Sequence, residues 1–145
     1  MNIQYVKEMS RLNALKQARQ ELRTADVILI SASNGLSISE GYNIFANNDD
    51  FRHYFGEFYQ KYGITSILQG AQAYLPAAAH QAFIKQLHRY LVDDYQGAPQ
   101  FRQLKQLVHG KDYFVVTSNA DRHFQLNGFD PQKIWEVEGD FFDLK

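Results

Sequence analysis

Three short polar segments carry residue types that can bind a ligand or move a proton. They are Ser33-Asn34-Gly35-Leu36-Ser37, Ser118-Asn119-Ala120-Asp121 and Glu138-Gly139-Asp140. Each follows an apolar run that is typical of a β-strand. In an open α/β sheet, ligands bind beyond the carboxyl ends of the strands. The first two segments together therefore indicate a nucleotide pocket, to which the third would add a carboxylate.

The first segment fits a phosphate turn. Gly35 permits a tight turn and a close approach of the backbone to a ligand, and Ser37 offers a hydroxyl or a cap for the helix that follows. Backbone N–H groups at the start of a helix favour an anion. An Asn-Gly pair is also common in loops that bind nothing, so an ordinary turn is the alternative.

The second and third segments supply an amide and carboxylates. Asn119 and Asp121, two residues apart beyond a strand, would reach the hydroxyls and amide of a ligand. Alternatively, Asp121 caps the helix that opens at Arg122, and Asn119 binds loop backbone. Glu138 would act as a base toward a sugar hydroxyl, or it is a solvated loop acid.

The elements that would position these segments alternate between helix and strand. An amphipathic helix over 4–24 precedes a buried strand at 26–30, and further strands are predicted at 113–117 and 134–137. Between the first two strands, a short helix near 37–40 is followed by longer ones ending near Tyr62, Tyr95 and His109. This βαβαβ order predicts a partial Rossmann-like parallel sheet of about three strands with a helical insertion.

Composition narrows the class of protein. The chain has 145 residues, 45% of them hydrophobic, and a net charge of -1, which fits a single globular domain over 1–145 and argues against nucleic acid as a partner. The absence of cysteine excludes disulfides and a Cys-based zinc site. No signal peptide or apolar run of membrane-spanning length is found, so a cytoplasmic location without membrane attachment is predicted.

Two further residue groups are assigned to structure. The histidines have no metal-ligand spacing, so surface or helix-end positions and no metal site are predicted for them: His53, His80, His88, His109 and His123. Five aromatic residues fall at helical spacing and indicate a helix packed into the core. They are Phe51, Tyr54, Phe55, Phe58 and Tyr62.

Taken together, the three polar segments resemble the sirtuin family of NAD-dependent enzymes, most closely the bacterial branch associated with macrodomain proteins. The Gly-Ala-Gly-x-Ser turn of sirtuins corresponds to Ser33–Ser37, and their next glycine to Gly41. Their Thr-Gln-Asn-x-Asp motif corresponds to Thr117–Asp121, and their catalytic His-Gly to Glu138-Gly139. The aromatic helix of the macrodomain-linked branch corresponds to the segment from Phe51 to Gly63.

The resemblance implies NAD as cofactor and protein ADP-ribosylation, with deacylation the less expected chemistry. The Ser33–Ser37 turn, including Asn34 and Leu36, would hold the diphosphate. Asn119 would contact the nicotinamide ribose and Asp121 the carboxamide, and Glu138 would occupy the position of the catalytic base. Asn119 and Glu138 are thus the candidate catalytic residues. Gly41, Ser118 and Gly139 complete the candidate cofactor-binding set.

The sequence also departs from the sirtuin pattern. Ser33 replaces the first motif glycine and adds a Cβ close to where a diphosphate would lie. The chain stops at Lys145, before the zinc module and the second half of the sheet that sirtuins carry. In a sheet of order 3-2-1-4-5-6, this leaves strand one with an open edge, which a second copy or a partner chain would cover.

Three functional hypotheses follow. The chain is an NAD-dependent ADP-ribosyltransferase of sirtuin type that acts on a protein substrate, or it is a degenerate, non-catalytic module that binds a nucleotide or a partner. The third hypothesis is an unrelated small Rossmann-like protein whose motifs agree by chance.

Overall fold

A three-stranded parallel sheet forms the centre of the molecule. The computed structural model describes residues 3–142, with side chains from residue 7 onward. Strand β1 (Val27–Ala32) pairs with β2 (Asp112–Thr117), and β2 pairs with β3 (Ile134–Glu136), all in parallel. The order β1-β2-β3 confirms the predicted α/β class. Because the strands are parallel, the three polar segments leave the sheet at the same edge.

Helices fill the long connection between β1 and β2, and α6 and α7 pack against the sheet. The α-helices of the described part are α1 (Ile3–Thr24), α2 (Asn34–Ser39), α3 (Asp49–Tyr62), α4 (Ile67–Gln72), α5 (Ala77–His88), α6 (Pro99–Leu107) and α7 (His123–Leu126). A π-helical turn, Arg89–Asp93, continues α5, and a 3-10 turn, Pro131–Lys133, leads into β3. None of these helices combines the length and the apolar character needed to cross a bilayer.

The best-predicted element is α3, because residues at its own two ends specify where it begins and stops. The side chain of Asn48 accepts a hydrogen bond from the backbone N–H of Phe51, and Gly63 ends the helix in the left-handed conformation with φ of 68°. Phe51 and Phe55 are buried, as their helical spacing predicts. The aromatic face of this helix is therefore core.

The main differences from the prediction are the start of α2, the end of α5 and the presence of α4. Helix α2 begins at Asn34 and not near Ser37, so Gly35 lies in a helical turn and not in a tight turn. Helix α5 ends at His88, and the π-helical turn that follows stops at Asp93, short of the predicted end at Tyr95. Helix α4 was not predicted. Its central Gly70 lowers helical propensity, and only contact with Phe83 of α5 explains the glycine.

The core is divided into two hydrophobic clusters. The insertion cluster lies among α3, α4 and α5 and includes Phe55, Phe83 and Leu87. The sheet cluster packs α6 and α7 against the sheet and includes Phe101 and Val115. The ligand edge of the sheet lies where the insertion meets the sheet.

The outer edge of β1 is open, as the sequence predicts. Among residues 3–142, no strand pairs with this edge. Val27 and Leu29 are 61% and 66% exposed. The apolar residues Met9, Leu12 and Leu15 of α1 are also exposed. An unpaired edge with apolar side chains favours pairing with another chain.

We propose that a second copy of the chain covers this edge. Light scattering should then give a mass above the 16.8 kDa of one chain. Leu29→Lys should return the mass to that of one chain, because a charge on an edge strand opposes pairing. Leu126→Lys, which charges an exposed leucine of α7, is the control and should leave the mass unchanged. A monomer mass for the unmodified chain at all concentrations would contradict this proposal.

Candidate functional site

A cleft of about 470 Å³ lies at the ligand edge of the sheet. The segments that follow all three strands line it: Asn34 after β1, Ser118 and Ala120 after β2, and Glu138 and Asp140 after β3. The opposite wall comes from the helical insertion, through Ile44, Leu68 and Ile84. A larger cavity of about 630 Å³ beside α5 shares Ile84 and Phe141 with the cleft but contains none of the predicted site residues.

The predicted site residues differ in how deeply they lie around this cleft. Asn34, Ser118 and Glu138 line it directly. Ser33, Gly35, Gly41 and Gly139 are exposed, and the Ser118 hydroxyl donates a hydrogen bond of 2.9 Å to that of Ser33. Leu36 packs against the sheet cluster. Ser37, Asn119 and Asp121 are buried.

Asn119 lies between two residues that line the cleft and is only 4% exposed. Its backbone N–H donates to the Thr117 hydroxyl at 3.0 Å, and its side-chain Nδ2 donates to the Ser37 hydroxyl at 2.9 Å. Its carbonyl oxygen Oδ1 is buried and has no hydrogen-bond partner within the described part of the chain. Because a buried polar atom without a partner is costly, Oδ1 is a candidate acceptor for a hydrogen bond from a ligand or a water molecule.

Asp121 is fully engaged by the chain itself. Oδ2 accepts a hydrogen bond of 2.7 Å from the Ser37 hydroxyl, and Oδ1 accepts one of 3.0 Å from the backbone N–H of His123. The second bond is the helix-start contact considered as the structural alternative for this residue. The hydroxyl of Ser37 thus binds Asp121 and not the backbone of α2.

His123 is the first residue of α7, in agreement with the helix-end alternative of the prediction, but it is fully buried and not on the surface. Its Nδ1 lies 2.5 Å from Oε1 of Glu40, and its Nε2 lies 3.1 Å from the carbonyl oxygen of Leu91. A carbonyl can only accept, so Nε2 carries a hydrogen.

Aromatic side chains enclose the His123–Glu40 pair. The ring of Tyr95 stacks on His123 with centroids 4.0 Å apart, and Tyr42 meets its edge at 4.8 Å. The Tyr95 hydroxyl donates to Oε2 of Glu40 at 2.8 Å. Burial raises the pKa of Tyr95, and so does Glu40, so its hydroxyl stays protonated and keeps this bond. Burial likewise raises the pKa of Tyr42 to about 12.

Glu40, Asp121 and His123 also form a set of possible metal ligands, whose ligand atoms lie within 4.8 Å of one another. Two atoms bound to one zinc ion at about 2.1 Å in tetrahedral geometry lie more than about 3 Å apart. The 2.5 Å between His123 and Glu40 is shorter than this. Both Asp121 oxygens already accept hydrogen bonds. As described, the three residues form a hydrogen-bonded cluster whose closest pair lies nearer than two ligands of one zinc ion.

The third segment presents one free carboxylate to the cleft. Asp140 is paired with Arg122 and accepts a hydrogen bond from the backbone N–H of Phe142. Glu138 is exposed and has no ion pair or hydrogen bond to another residue of the described part. Glu136, at the end of β3, accepts a hydrogen bond from Gln125, and burial raises its pKa.

The charges of the cleft favour one kind of ligand group. Its lining in the described part contains Glu138 and Asp140 but no lysine or arginine. Such a site favours hydroxyl donors and a cationic ring, whereas an anionic group would have to find backbone N–H donors. The carboxylate end of the cleft is therefore better suited to a hydroxyl donor than to an anionic group.

Two proteins with related sequences bear on this site. The chain is 28% identical over 126 residues to a protein ADP-ribosyltransferase of Staphylococcus aureus, an alignment of 85% of this chain and 39% of that protein. It is 30% identical over 132 residues to a probable bifunctional ADP-ribose hydrolase/ADP-ribosyltransferase of Fusarium oxysporum f. sp. cubense, covering 88% and 22% respectively. No protein-family model matches the chain. The relatives support an ADP-ribosyl-related family.

The alignments cover most of this chain but only part of each relative. The chain spans less than half the length of either relative, so the activities of the whole relatives are not carried by the alignment itself. Nearly the whole of this chain is nevertheless aligned with each of them. The aligned region includes, by its extent, most of the sheet and its ligand edge.

Proposed function

We propose that the cleft binds the nicotinamide side of NAD, and that the chain is a sirtuin-type module of a protein ADP-ribosyltransferase. The buried, unpartnered Oδ1 of Asn119 carries this proposal, because a ribose hydroxyl would donate the missing hydrogen bond. The names of the two relatives support ADP-ribose transfer as the reaction class.

Each of these residues would have a separate role in the transfer reaction. NAD supplies the ADP-ribosyl group, when the bond from ribose C1′ to the nicotinamide nitrogen breaks, its electron pair leaves with nicotinamide, and the acceptor bonds to C1′ and loses a proton. Asn119 would hold the ribose through Oδ1. Glu138, free in the cleft wall, would take the proton of the acceptor. The Ser33–Ser37 segment would contact the diphosphate through its backbone.

Gly35 offers a direct test of the diphosphate assignment. A Cβ at this helical position would meet no atom within 4 Å, so Gly35→Ala should leave the fold intact. The added methyl group would, however, occupy the space through which the backbone approaches the diphosphate. Calorimetric titration with NAD should show affinity lowered at least about tenfold, the effect of ~1.4 kcal/mol.

Gly56→Ala in α3 is the matched control, since its Cβ also meets nothing within 4 Å and it lies away from the cleft. Its affinity for NAD should equal that of the unmodified chain. Absence of any heat of binding for the unmodified chain at millimolar NAD would contradict NAD binding by this module. Equal affinities of Gly35→Ala and the unmodified chain would contradict only the diphosphate assignment.

A non-catalytic interaction module is the second candidate, and the open edge of β1 favours it. In this case the chain would bind NAD weakly or not at all and would act through association. Release of nicotinamide from NAD distinguishes the two. The enzyme should release nicotinamide in the presence of an acceptor protein, whereas the interaction module should release none.

A further inference from the structure

A directed chain of hydrogen bonds runs from Asp121 to Asn119. Asp121 Oδ2 accepts from the Ser37 hydroxyl at 2.7 Å, and the Ser37 oxygen accepts from Asn119 Nδ2 at 2.9 Å. All three side chains are less than 10% exposed, so water does not compete freely for these bonds. The three residues come from two elements, α2 and the segment after β2.

The direction of each bond in this chain follows from the one before it. An ionised carboxylate has no hydrogen to give, so the single hydroxyl hydrogen of Ser37 must point to Asp121. The Ser37 oxygen is then left with lone pairs only and must accept from its other neighbour. Asn119 therefore turns its NH2 group toward Ser37, and its carbonyl Oδ1 is left without a partner among residues 3–142.

The carboxylate itself is held on its other oxygen. Asp121 Oδ1 accepts from the backbone N–H of His123, and the His123 ring is fixed between Glu40 and the Leu91 carbonyl. His123 Nδ1 also lies 3.7 Å from Asp121 Oδ2. These contacts fix the orientation of the Asp121 carboxylate, where the series of hydrogen bonds begins.

We propose that Ser37 and Asp121 are positioning residues, which set the amide of Asn119 so that its carbonyl and not its NH2 group meets the ligand. The amide would otherwise have two orientations that differ only in which end faces the ligand. A fixed carbonyl selects ligand groups that donate a hydrogen bond, such as a sugar hydroxyl, and disfavours phosphate or carboxylate oxygens. This inference rests on the proposed NAD site for the identity of the ligand.

The inference changes the part played by two residues of the resemblance. The side chains of Ser37 and Asp121 would act on the nucleotide through Asn119. Ser37, Asn119 and Asp121 are all buried, and the cleft is lined by their neighbours Asn34, Ser118 and Ala120.

Nuclear magnetic resonance of the side-chain amide of Asn119 tests the inference without any ligand. In the unmodified chain, one of its two amide protons should be shifted downfield and both should exchange slowly with water. Ser37→Ala removes the acceptor and should abolish this signature. Ser39→Ala is the matched control: it lies in the same helix, its exposed hydroxyl donates to the Leu36 carbonyl, and it should leave the signature unchanged.

Asp121→Asn tests the direction of the chain with a side chain of the same shape. The new amide can offer Ser37 either a donor or an acceptor, so the hydroxyl is no longer forced to point away from Asn119. We expect a second set of Asn119 amide signals and NAD affinity lowered about tenfold, the effect of one misdirected buried hydrogen bond. This variant serves also if Ser37→Ala does not fold.

An Asn119 amide signature that is the same in the unmodified chain, Ser37→Ala and Asp121→Asn would overturn the inference. So would an unchanged NAD affinity of Asp121→Asn. Should the unmodified chain bind no NAD, the proposed function fails. The amide signature of the free chain then decides by itself whether Ser37 and Asp121 orient Asn119.

Discussion

Asn119→Ala is expected to remove the stabilisation that NAD gives to the chain. At a free NAD concentration of ten times Kd, the unmodified chain should gain about 1.4 kcal/mol of stability. Truncation removes Oδ1, the buried atom that has no partner within the described part of the chain. A hundredfold loss of affinity would leave less than about 0.1 kcal/mol of this gain. The rise in melting temperature with NAD measures it directly.

The same substitution should leave the free protein nearly as stable as before. It deletes the hydrogen bond from Nδ2 to Ser37, worth about 1 kcal/mol, but it also deletes a buried oxygen that has no partner. Asn47→Ala, at an exposed asparagine in the loop before α3, is the control and should keep the full NAD response. An unchanged NAD response of Asn119→Ala would refute the role given to Oδ1.

Gly70→Ala is expected to destabilise the helical insertion strongly. A Cβ at Gly70 would lie 2.2 Å and 2.3 Å from two ring atoms of Phe83. Phe83 cannot move aside easily, because its ring packs against Phe55 and Phe58 with centroids 4.9 Å and 5.0 Å away. Forcing extra volume into a packed core costs about 1–3 kcal/mol. The urea midpoint should fall accordingly.

Gly56→Ala again supplies the contrast, because it makes the same change on a helix where nothing lies within 4 Å of the new methyl group. There the loss of backbone freedom in the unfolded chain should stabilise the protein by about 0.4–1 kcal/mol. The two substitutions should thus move the urea midpoint in opposite directions. Equal midpoints for Gly70→Ala and the unmodified chain would show that Phe83 does not pack as described.

Helix ends and strands that are determined by residues close together in the chain could be predicted from the sequence. Asn48 and Gly63 mark the ends of α3 within its own segment, and the apolar runs before Ser33 and Ser118 identify β1 and β2. The order β1-β2-β3 is the one implied by the resemblance to a Rossmann sheet of order 3-2-1-4-5-6. The meeting of the three polar segments at one cleft follows in turn from that order.

Features that depend on distant residues could not be predicted in this way. The burial of His123 depends on Glu40, which lies 83 residues earlier, and on Leu91, 32 residues earlier. Helix α4 is short and contains a glycine that is explained only by Phe83. The hydrogen bonds of Ser37 to Asp121 and Asn119 cross more than 80 residues of chain. A pattern of neighbouring residues does not predict contacts between residues that are so far apart in the sequence.

The division of the core into an insertion cluster and a sheet cluster has a thermodynamic consequence. His123 lies at their boundary, with Tyr42 of the insertion on one side and Phe101 of the sheet cluster on the other. Each cluster can act as a separate cooperative unit, with its own free energy of opening. A ligand in the cleft would touch both and would couple their unfolding. Binding of a ligand would then slow hydrogen exchange even in helices that do not contact the ligand.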